Sequence, residues 1–433
     1  MIEYKKPNTK EEFKKNFKEK KPLMNKTEAL VESSKCLFCY DPPCMKACPT
    51  KIDIPLFIKQ IHTGNVYGAA QTIYKSNWLG NACAVVCPTG VLCEGSCVYT
   101  KEDILPVQIG RLQHFATQYI IGNRLKTFEQ GFDIQKKVAI IGAGPAGIAC
   151  ACELKTIGYK VDIFETKSAP SGLISHGIAP YKISNEDALF EVEFLKNQLN
   201  FNIFYNEKIN SKQQIMDLES KYDAIFIGVG IGSTANLNIS GENLNNVIGA
   251  VEWIEKLRKQ EHQTTIGENV IVLGGGNTAM DAATESAKLG AKNVVLAYRG
   301  SKEDMKAYPF EYELAVSCGV DGLFYAQPIE ILGKEKVEGV RFKNTLNQEE
   351  FIINCDFLIK ATGQAKHLEL FSLIDNLTID DRKKIKVNQD TFQTTNPKYF
   401  AGGDAVNGGS EVVNAAFEGK MAGIGIHNFL KNK

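Results

Sequence analysis

The sequence predicts an α/β chain that opens with an all-α domain and continues into two Rossmann-like nucleotide-binding domains. Three observations carry this. Eight of the twelve cysteines crowd between Cys36 and Cys97, in a stretch with helical spacing and no β alternation. Gly142-Ala143-Gly144-Pro145-Ala146-Gly147 follows an apolar run at 138–141 and opens a helical pattern. Gly274-Gly275-Gly276-Asn277-Thr278-Ala279 repeats that context after 269–273. At 433 residues the chain is too long for one ordinary core, in line with several domains of roughly 100 to 200 residues.

The charge balance narrows the partners. Fifty basic and fifty acidic side chains cancel, so no broad positive field gathers nucleic acid. No apolar run approaches the roughly 20 residues that span a bilayer, and Met1-Ile-Glu-Tyr-Lys-Lys lacks the apolar core of a secretory signal. A cytoplasmic protein with no membrane or nucleic-acid partner is expected. A reducing cytosol keeps thiols open, which makes clustered cysteines metal ligands in preference to disulfides. They form two quartets, Cys36-x2-Cys39-x4-Cys44-x3-Cys48-Pro49 and Cys83-x3-Cys87-Pro88-x4-Cys93-x3-Cys97. Each contains a Cys-Pro of ferredoxin type, which favours iron-sulfur clusters over zinc, whose sites usually repeat Cys-x2-Cys knuckles. Cys150, Cys152, Cys318 and Cys355 lie in apolar patterns and read as small buried hydrophobes.

Residues 1–120 are expected to form the helical domain. Thr9-Lys-Glu-Glu12 reads as a capping box opening a solvated amphipathic helix to about Lys20, and Asp53 with Pro55 starts another that ends near Gly64. A further helix begins at Val66. The metal supplies what this domain's core lacks. Residues 121–235 form the first part of one nucleotide domain, 236–364 the second nucleotide domain, and 365–433 return to the first. Strands at 138–141, 161–164 and 269–273 with their glycine turns make the βαβ units, and a helix over 412–430 closes the chain.

In the first fingerprint Gly142 permits a tight turn, Gly144 lets the backbone approach a pyrophosphate at the helix N-terminus, and Gly147 allows close helix-strand contact. Glu165, after the second strand, can accept hydrogen bonds from an adenosine ribose. The second fingerprint has Ala279 for its third glycine, and Tyr298-Arg299 stands where an NAD-specific site places an acid. Arg299, with Lys302 and Lys306 near in sequence, suits a 2'-phosphate and favours NADPH over NADH. Gly402-Gly403-Asp404 ends a strand just before a helix, so Asp404 can bind the ribityl chain of FAD.

These residues together resemble the electron-input half of dihydropyrimidine dehydrogenase, which is closely similar to the small subunit of glutamate synthase, over essentially the whole chain. The stretches 36–55, 81–88 and 109–115 carry the likeness. The resemblance implies a glutathione-reductase-like arrangement of the two nucleotide domains and crossed cluster ligation. One 4Fe-4S cluster would be held by Cys36, Cys39, Cys44 and Cys97, the other by Cys48, Cys87, Cys93 and Gln113, with Cys83 a non-ligand. Spacing alone gives each quartet its own cluster. The resemblance also implies FAD contacts at Gly142 to Ala146, Glu165, Gly172, Leu173, Lys182, Gly403 and Asp404. Nicotinamide-dinucleotide contacts are implied at Gly275 to Thr278, Arg299, Lys306, Ala361, Thr362 and Gly363. Lys182 stands where the family has arginine, and Gly300 where it has lysine.

The expected activity is hydride exchange between NAD(P)H and FAD, followed by single-electron delivery to the clusters. No catalytic acid or base is expected, because hydride transfer needs orientation in place of a protein base, and the six histidines form no ligand pair. His114 reads as a neighbour of the second cluster or as exposed. By resemblance the missing pyrimidine site implies a separate FMN-containing α/β-barrel subunit with a ferredoxin-like tail, in a hetero-oligomer. The competing expectations are a glutamate synthase small subunit or ferredoxin:NAD(P)H reductase, and a redox sensor or scaffold without turnover.

Overall fold

The protein is described here by a computed structural model covering residues 4–432; expectations that rest on residues 1–3 and 433, including the first residues of the leader reading and the outer ends of the domain ranges, lie outside the described residues. The chain forms two compact units. One takes residues up to Glu19, His176–Tyr181 and Gly232–Ala365, and the other takes Lys20–Ser175, Lys182–Ile231 and Lys366 onward.

The larger unit begins with helices. Lys26–Ser34 starts on an Asn25/Glu28 capping box, and Ile54–His62 starts where the Asp53 carboxylate accepts the Leu56 N–H, so both local signals act as capping chemistry dictates. Val66–Ser76, Gly80–Val86 and Ile109–Gly122 complete the main helices. Their apolar faces share a core of Met24, Ala29, Ile52, Phe57, Ile58, Ile61, Leu112 and Ala116.

A five-stranded parallel sheet follows in the same unit, in the order Tyr399–Ala401, Ala224–Ile227, Lys137–Ile141, Lys160–Glu165, Asn202–Tyr205. Ala224–Ile227 is buried along its whole length, as a strand covered on both faces must be. The closing helix Val412–Lys431 packs on Pro145–Ile157. The helices approach closely at Gly419, where a Cβ would stand 2.0 Å from the Ala146 carbonyl oxygen.

The smaller unit holds a second parallel sheet, ordered Val247–Gly249, Phe357–Lys360, Asn269–Leu273, Asn293–Ala297, Val320–Leu323. It also has an antiparallel sheet of Ala326–Gly333, Val337–Asn344 and Glu350–Asn354 that the sequence reading lacked.

The first helix departs from expectation. It spans Lys10–Asn16, ends short of Lys20, and has only half of the expected capping box. Thr9 Oγ1 accepts the Glu12 N–H, but Glu12 Oε2 turns to the Asn8 N–H. It is not a solvated element either. Phe13 and Phe17 stack 4.3 Å apart and are buried against the core that contains Trp253, Met280 and Leu289. Two aromatic rings one helical turn apart outweigh the surrounding lysines, which keep their ammonium groups in water.

Candidate functional site

The Gly142 turn is built by local chemistry. Gly142 takes φ 102°, a conformation that excludes a side chain, and its N–H donates to the Phe164 carbonyl at 2.8 Å. Pro145 fills the first turn of its helix, whose N-cap is Gly144. Glu165 is buried, and its carboxylate braces the turn by accepting the Ala143 N–H at 2.7 Å and the Lys167 N–H at 2.8 Å. Gly172 comes up against Gly144, with Leu173 opening a single helical turn beside it. Lys182 sits half-buried in the turn before Asn185–Leu199.

Across the sheet, Gly403 has φ 73° and packs on Ala146. The Gly403 N–H donates to Glu418 Oε2 at 2.6 Å, and Asn407 donates to Glu418 Oε1 at 3.0 Å. Burial raises the Asp404 carboxyl above the usual carboxylate range, opposed by the Ser410 N–H and the Lys366 ammonium. Glu418 and Lys366 therefore shape this turn, yet neither belongs to a sequence motif. Their only signal is position, one on the closing helix and one just past Gly363.

In the other unit Gly274 has φ 148°, and Gly276 caps Asn277–Lys288. Gly275 lies under Tyr298, whose ring a Cβ would meet at 2.6 Å, while a Cβ at Gly276 meets nothing within 4 Å. The open side of the turn is thus at Gly276. Asn277 Oδ1 accepts the Tyr308 N–H at 2.9 Å, and Thr278 is half-buried beside it. The strand Phe357–Lys360 brings Ala361, Thr362 and Gly363 to the same sheet end, with the Ala361 N–H on the Leu273 carbonyl at 2.7 Å. Arg299 and Lys306 are exposed. Lys302 is exposed too, with its ammonium 5.0 Å from the Tyr312 ring centre.

Two cavities gather the amino-terminal cysteines. The first is lined by Cys36, Cys39, Cys44 and Cys97, with Pro42, Ile54, Ile58 and Ile109 around them. The second is lined by Cys48, Cys83, Cys87, Cys93 and Gln113, with Thr89, Gly110 and Val413. Cys97 thus stands with the first three cysteines, and Cys48 with the second set, despite their places in the sequence. Gln113 is 7% exposed, and its Nε2 donates to the Gly80 carbonyl at 2.6 Å, which leaves Oε1 as the amide's free acceptor. Lys21 donates to the Cys87 carbonyl at 2.8 Å, and burial lowers its ammonium pKa.

The thiols fit a metal centre. Burial pushes Cys44 up to about 12 and Cys36 upward, while Cys87 is raised well above the usual thiol range by its hydrogen bond with Cys83 and then by burial. Crowded thiolates of this kind need a bound cation to exist, and soft sulfur donors select iron-sulfur clusters. His114 is 2% exposed with neither ring nitrogen hydrogen-bonded, so it is a buried neighbour of Gln113 and not a surface residue. Cys150, Cys152, Cys318 and Cys355 are all buried, as their apolar surroundings imply.

The chain is similar to known proteins over most of its length. Residues 13–125 match the family described as dihydropyrimidine dehydrogenase domain II, 4Fe-4S cluster, and residues 136–419 match the pyridine nucleotide-disulphide oxidoreductases. The NAD-dependent dihydropyrimidine dehydrogenase subunit PreT of Escherichia coli (strain K12) is 32% identical over 410 residues, 95% of this chain and 96% of that one. The glutamate synthase [NADPH] small chain of the same strain is 33% identical over 442 aligned positions, covering 93% of this chain and 92% of that one. Among solved structures, Mycobacterium tuberculosis FprA in complex with NADPH superposes with a TM-score of 0.55 at 19% identity, over 69% of this chain and 85% of that one, a likeness of fold. FAD, NAD(P)H and 4Fe-4S binding follow from these matches together. Among the described residues no helix is long and apolar enough to cross a membrane.

Proposed function

The chain belongs to the pyridine nucleotide-disulphide oxidoreductase family, in the branch with an amino-terminal 4Fe-4S domain, and on that premise we propose that it is the electron-input subunit of a dihydropyrimidine dehydrogenase. It is an NAD(P)H-dependent flavin and iron-sulfur oxidoreductase. Its partner is an FMN-containing α/β-barrel subunit with a ferredoxin-like tail, which reduces uracil or thymine or runs in reverse.

Within this reading, FAD held by these residues would supply the conversion of a two-electron hydride into single electrons for the clusters. The chain's own groups bind and orient. Gly142 to Ala146, Gly172, Leu173 and Lys182 hold the flavin dinucleotide, Glu165 serves its ribose, and Gly403 with Asp404 serves the ribityl chain. Gly275 to Thr278, Ala361, Thr362 and Gly363 take the nicotinamide coenzyme, with Arg299 and Lys306 on its 2'-phosphate. The first cavity holds a cluster on Cys36, Cys39, Cys44 and Cys97. The second holds one on Cys48, Cys87, Cys93 and Gln113, with Cys83 hydrogen-bonded to Cys87.

The observation that carries the relay is Val413. It lies in the first turn of the closing helix, nine residues after Asp404, and lines the second cavity beside Gln113. Glu411, the N-cap of that helix, acts electrostatically on Cys87. The closing helix, tied to Asp404 through the Ser410 N–H, thus runs from the turn that would hold the flavin to the second cavity.

Affinity-tagged chain purified without oxygen from its own host tests the outlet. Copurification of an FMN protein that reduces uracil on addition of NAD(P)H is expected. Copurification of a glutamine amidotransferase instead overturns the reading in favour of glutamate synthase.

Two substitutions probe the parts. Gln113→Leu removes the amide oxygen, so one cluster's spectrum and potential change while hydride transfer to FAD keeps its rate; anaerobic EPR and stopped-flow absorbance check this. Arg299→Ala removes a charge-assisted contact worth about 1.5–3 kcal/mol. The KM for NADPH is expected to rise roughly tenfold or more while that for NADH hardly moves. Steady-state reduction of an artificial acceptor with each coenzyme measures both.

A further inference from the structure

A buried carboxylate ties the flavin-binding part of the larger unit to the second cysteine cavity. Glu191, on the helix Asn185–Leu199, is 1% exposed. Its Oε1 accepts the Tyr74 hydroxyl at 2.8 Å and the Asn81 N–H at 2.7 Å, and its Oε2 accepts the Ala82 N–H at 2.9 Å. Asn81 and Ala82 belong to Gly80–Val86, a helix that meets the cavity three times. The Gly80 carbonyl holds the Gln113 amide, Cys83 lines the cavity, and Cys87 is the C-cap. Thr117 adds a second tie, donating to Asn81 Oδ1 at 2.9 Å.

We infer that Glu191 is a proton-linked positioning residue for the second cluster: it fixes the helix whose Gly80 carbonyl holds the Gln113 amide and whose C-cap is Cys87, and it takes up a proton as an electron reaches that cluster. This deepens the ligand assignment proposed above and rests on it. The balance is simple. One electron arrives from the flavin side, one proton arrives from solvent, and the carboxylate becomes a carboxylic acid with no other bond changed.

The electrostatics agree with the geometry. Burial raises the Glu191 carboxyl to about 7, outweighing its three hydrogen bonds, with Asp187 on the same helix adding to the rise. The other groups facing it are few. Tyr74 comes from Val66–Ser76 and Cys152 from Pro145–Ile157, while Cys83 of Gly80–Val86 acts on the Tyr74 hydroxyl. From Ile109–Gly122, His114 interacts with Asp187, and burial holds that imidazole below its usual range. Glu191 is buried, so its charge is weakly screened by solvent and is felt by the cluster.

The sign follows. Below the pKa the acid is neutral and electron arrival meets no local repulsion. Above it the anion disfavours further negative charge, and reduction in turn raises the carboxyl's affinity for a proton. The second cluster's potential therefore falls as pH rises through about 7 and levels off at higher pH.

The test is an EPR-monitored redox titration of the whole anaerobically purified chain between about pH 5.5 and pH 9, with the second cluster identified as the one lost in Cys48→Ser. The expected result is a pH-dependent potential for that cluster, abolished by Glu191→Gln, with the first cluster unaffected in both proteins. A flat wild-type profile, or a slope that survives Glu191→Gln, overturns the inference. Should Glu191→Gln fail to fold, Tyr74→Phe serves. Loss of one donor to the carboxylate is expected to move the fall to higher pH, and an unmoved profile counts against Glu191. Failure of the ligand reading looks different: Gln113→Leu would then leave the cluster spectra unchanged while the wild-type slope remained.

Discussion

Gly147→Val is expected to yield protein without bound FAD and with a markedly lower thermal midpoint. A Cβ at this position would lie 2.0 Å from the Gly142 carbonyl oxygen and 3.2 Å from the Ile140 side chain. The turn cannot retreat, because the Gly142 N–H is held by Phe164 and a Cβ at Gly142 would already meet the Gly228 carbonyl oxygen at 2.6 Å. Overpacking of this kind costs about 1–3 kcal/mol or more, and here the displaced group is the backbone that would cradle the pyrophosphate. Gly144→Ala provides the contrast. Its new methyl would lie 3.8 Å or more from its neighbours, at an ordinary φ of −75°. That variant should keep its thermal midpoint and lose flavin affinity alone. Flavin absorbance per chain and calorimetry separate the two, and equal flavin content in all three proteins would dismiss the Gly142 turn as the FAD site.

Cys48→Ser and Cys97→Ser are expected to abolish different clusters, in a pattern opposite to their sequence neighbourhoods. Cys48 follows Cys44 by four residues but lines the cavity of Cys87, Cys93 and Gln113; Cys97 follows Cys93 by four and lines the cavity of Cys36, Cys39 and Cys44. Cys48→Ser should therefore remove the second cluster's EPR signal, and Cys97→Ser the first, each halving iron and acid-labile sulfide. Both should also become sensitive to proteolysis over 36–53 and 87–108. These segments hold only short helical stretches and loops, and in small metal domains ligation free energy is folding free energy. FAD reduction by NAD(P)H should survive in both. If Cys48→Ser instead bleached the cluster of Cys36, Cys39 and Cys44, ligation would follow the two sequence quartets and the crossed scheme would fall.

The strand-glycine-helix units were legible because each is local: the apolar run, the turn that demands glycine and the helix that follows lie within about thirty residues. Asn269–Leu273, Tyr399–Ala401 and the start of the closing helix at Val412 appear where the periodicity puts them. Contacts made across long sequence separations were not legible. The antiparallel sheet around Val337–Asn344 mixes buried and exposed positions with a register shift, which blurs its alternation. Phe13 and Phe17 carry no sign of which core receives them.

The same limit applies to the site. The cysteines announced themselves, but spacing alone paired them by proximity in the chain. Their spatial exchange between cavities depends on how the 87–108 loop folds back on Ile54–His62. Glu191 and Glu418 belong to no motif. A carboxylate in an ordinary helical pattern looks solvated until the structure shows which backbone N–H groups it receives.

On the proposed assignment, the position of Val413 has a bearing on how fast electrons can leave the flavin. The closing helix is locked to its neighbour where Gly419 meets Ala146, and its opening turn borders the sulfur donors of the second cavity. On the proposed assignment, donor and acceptor therefore border one and the same helix. Passage between them calls for no swinging arm and no diffusing carrier, and its pace should be indifferent to the viscosity of the medium.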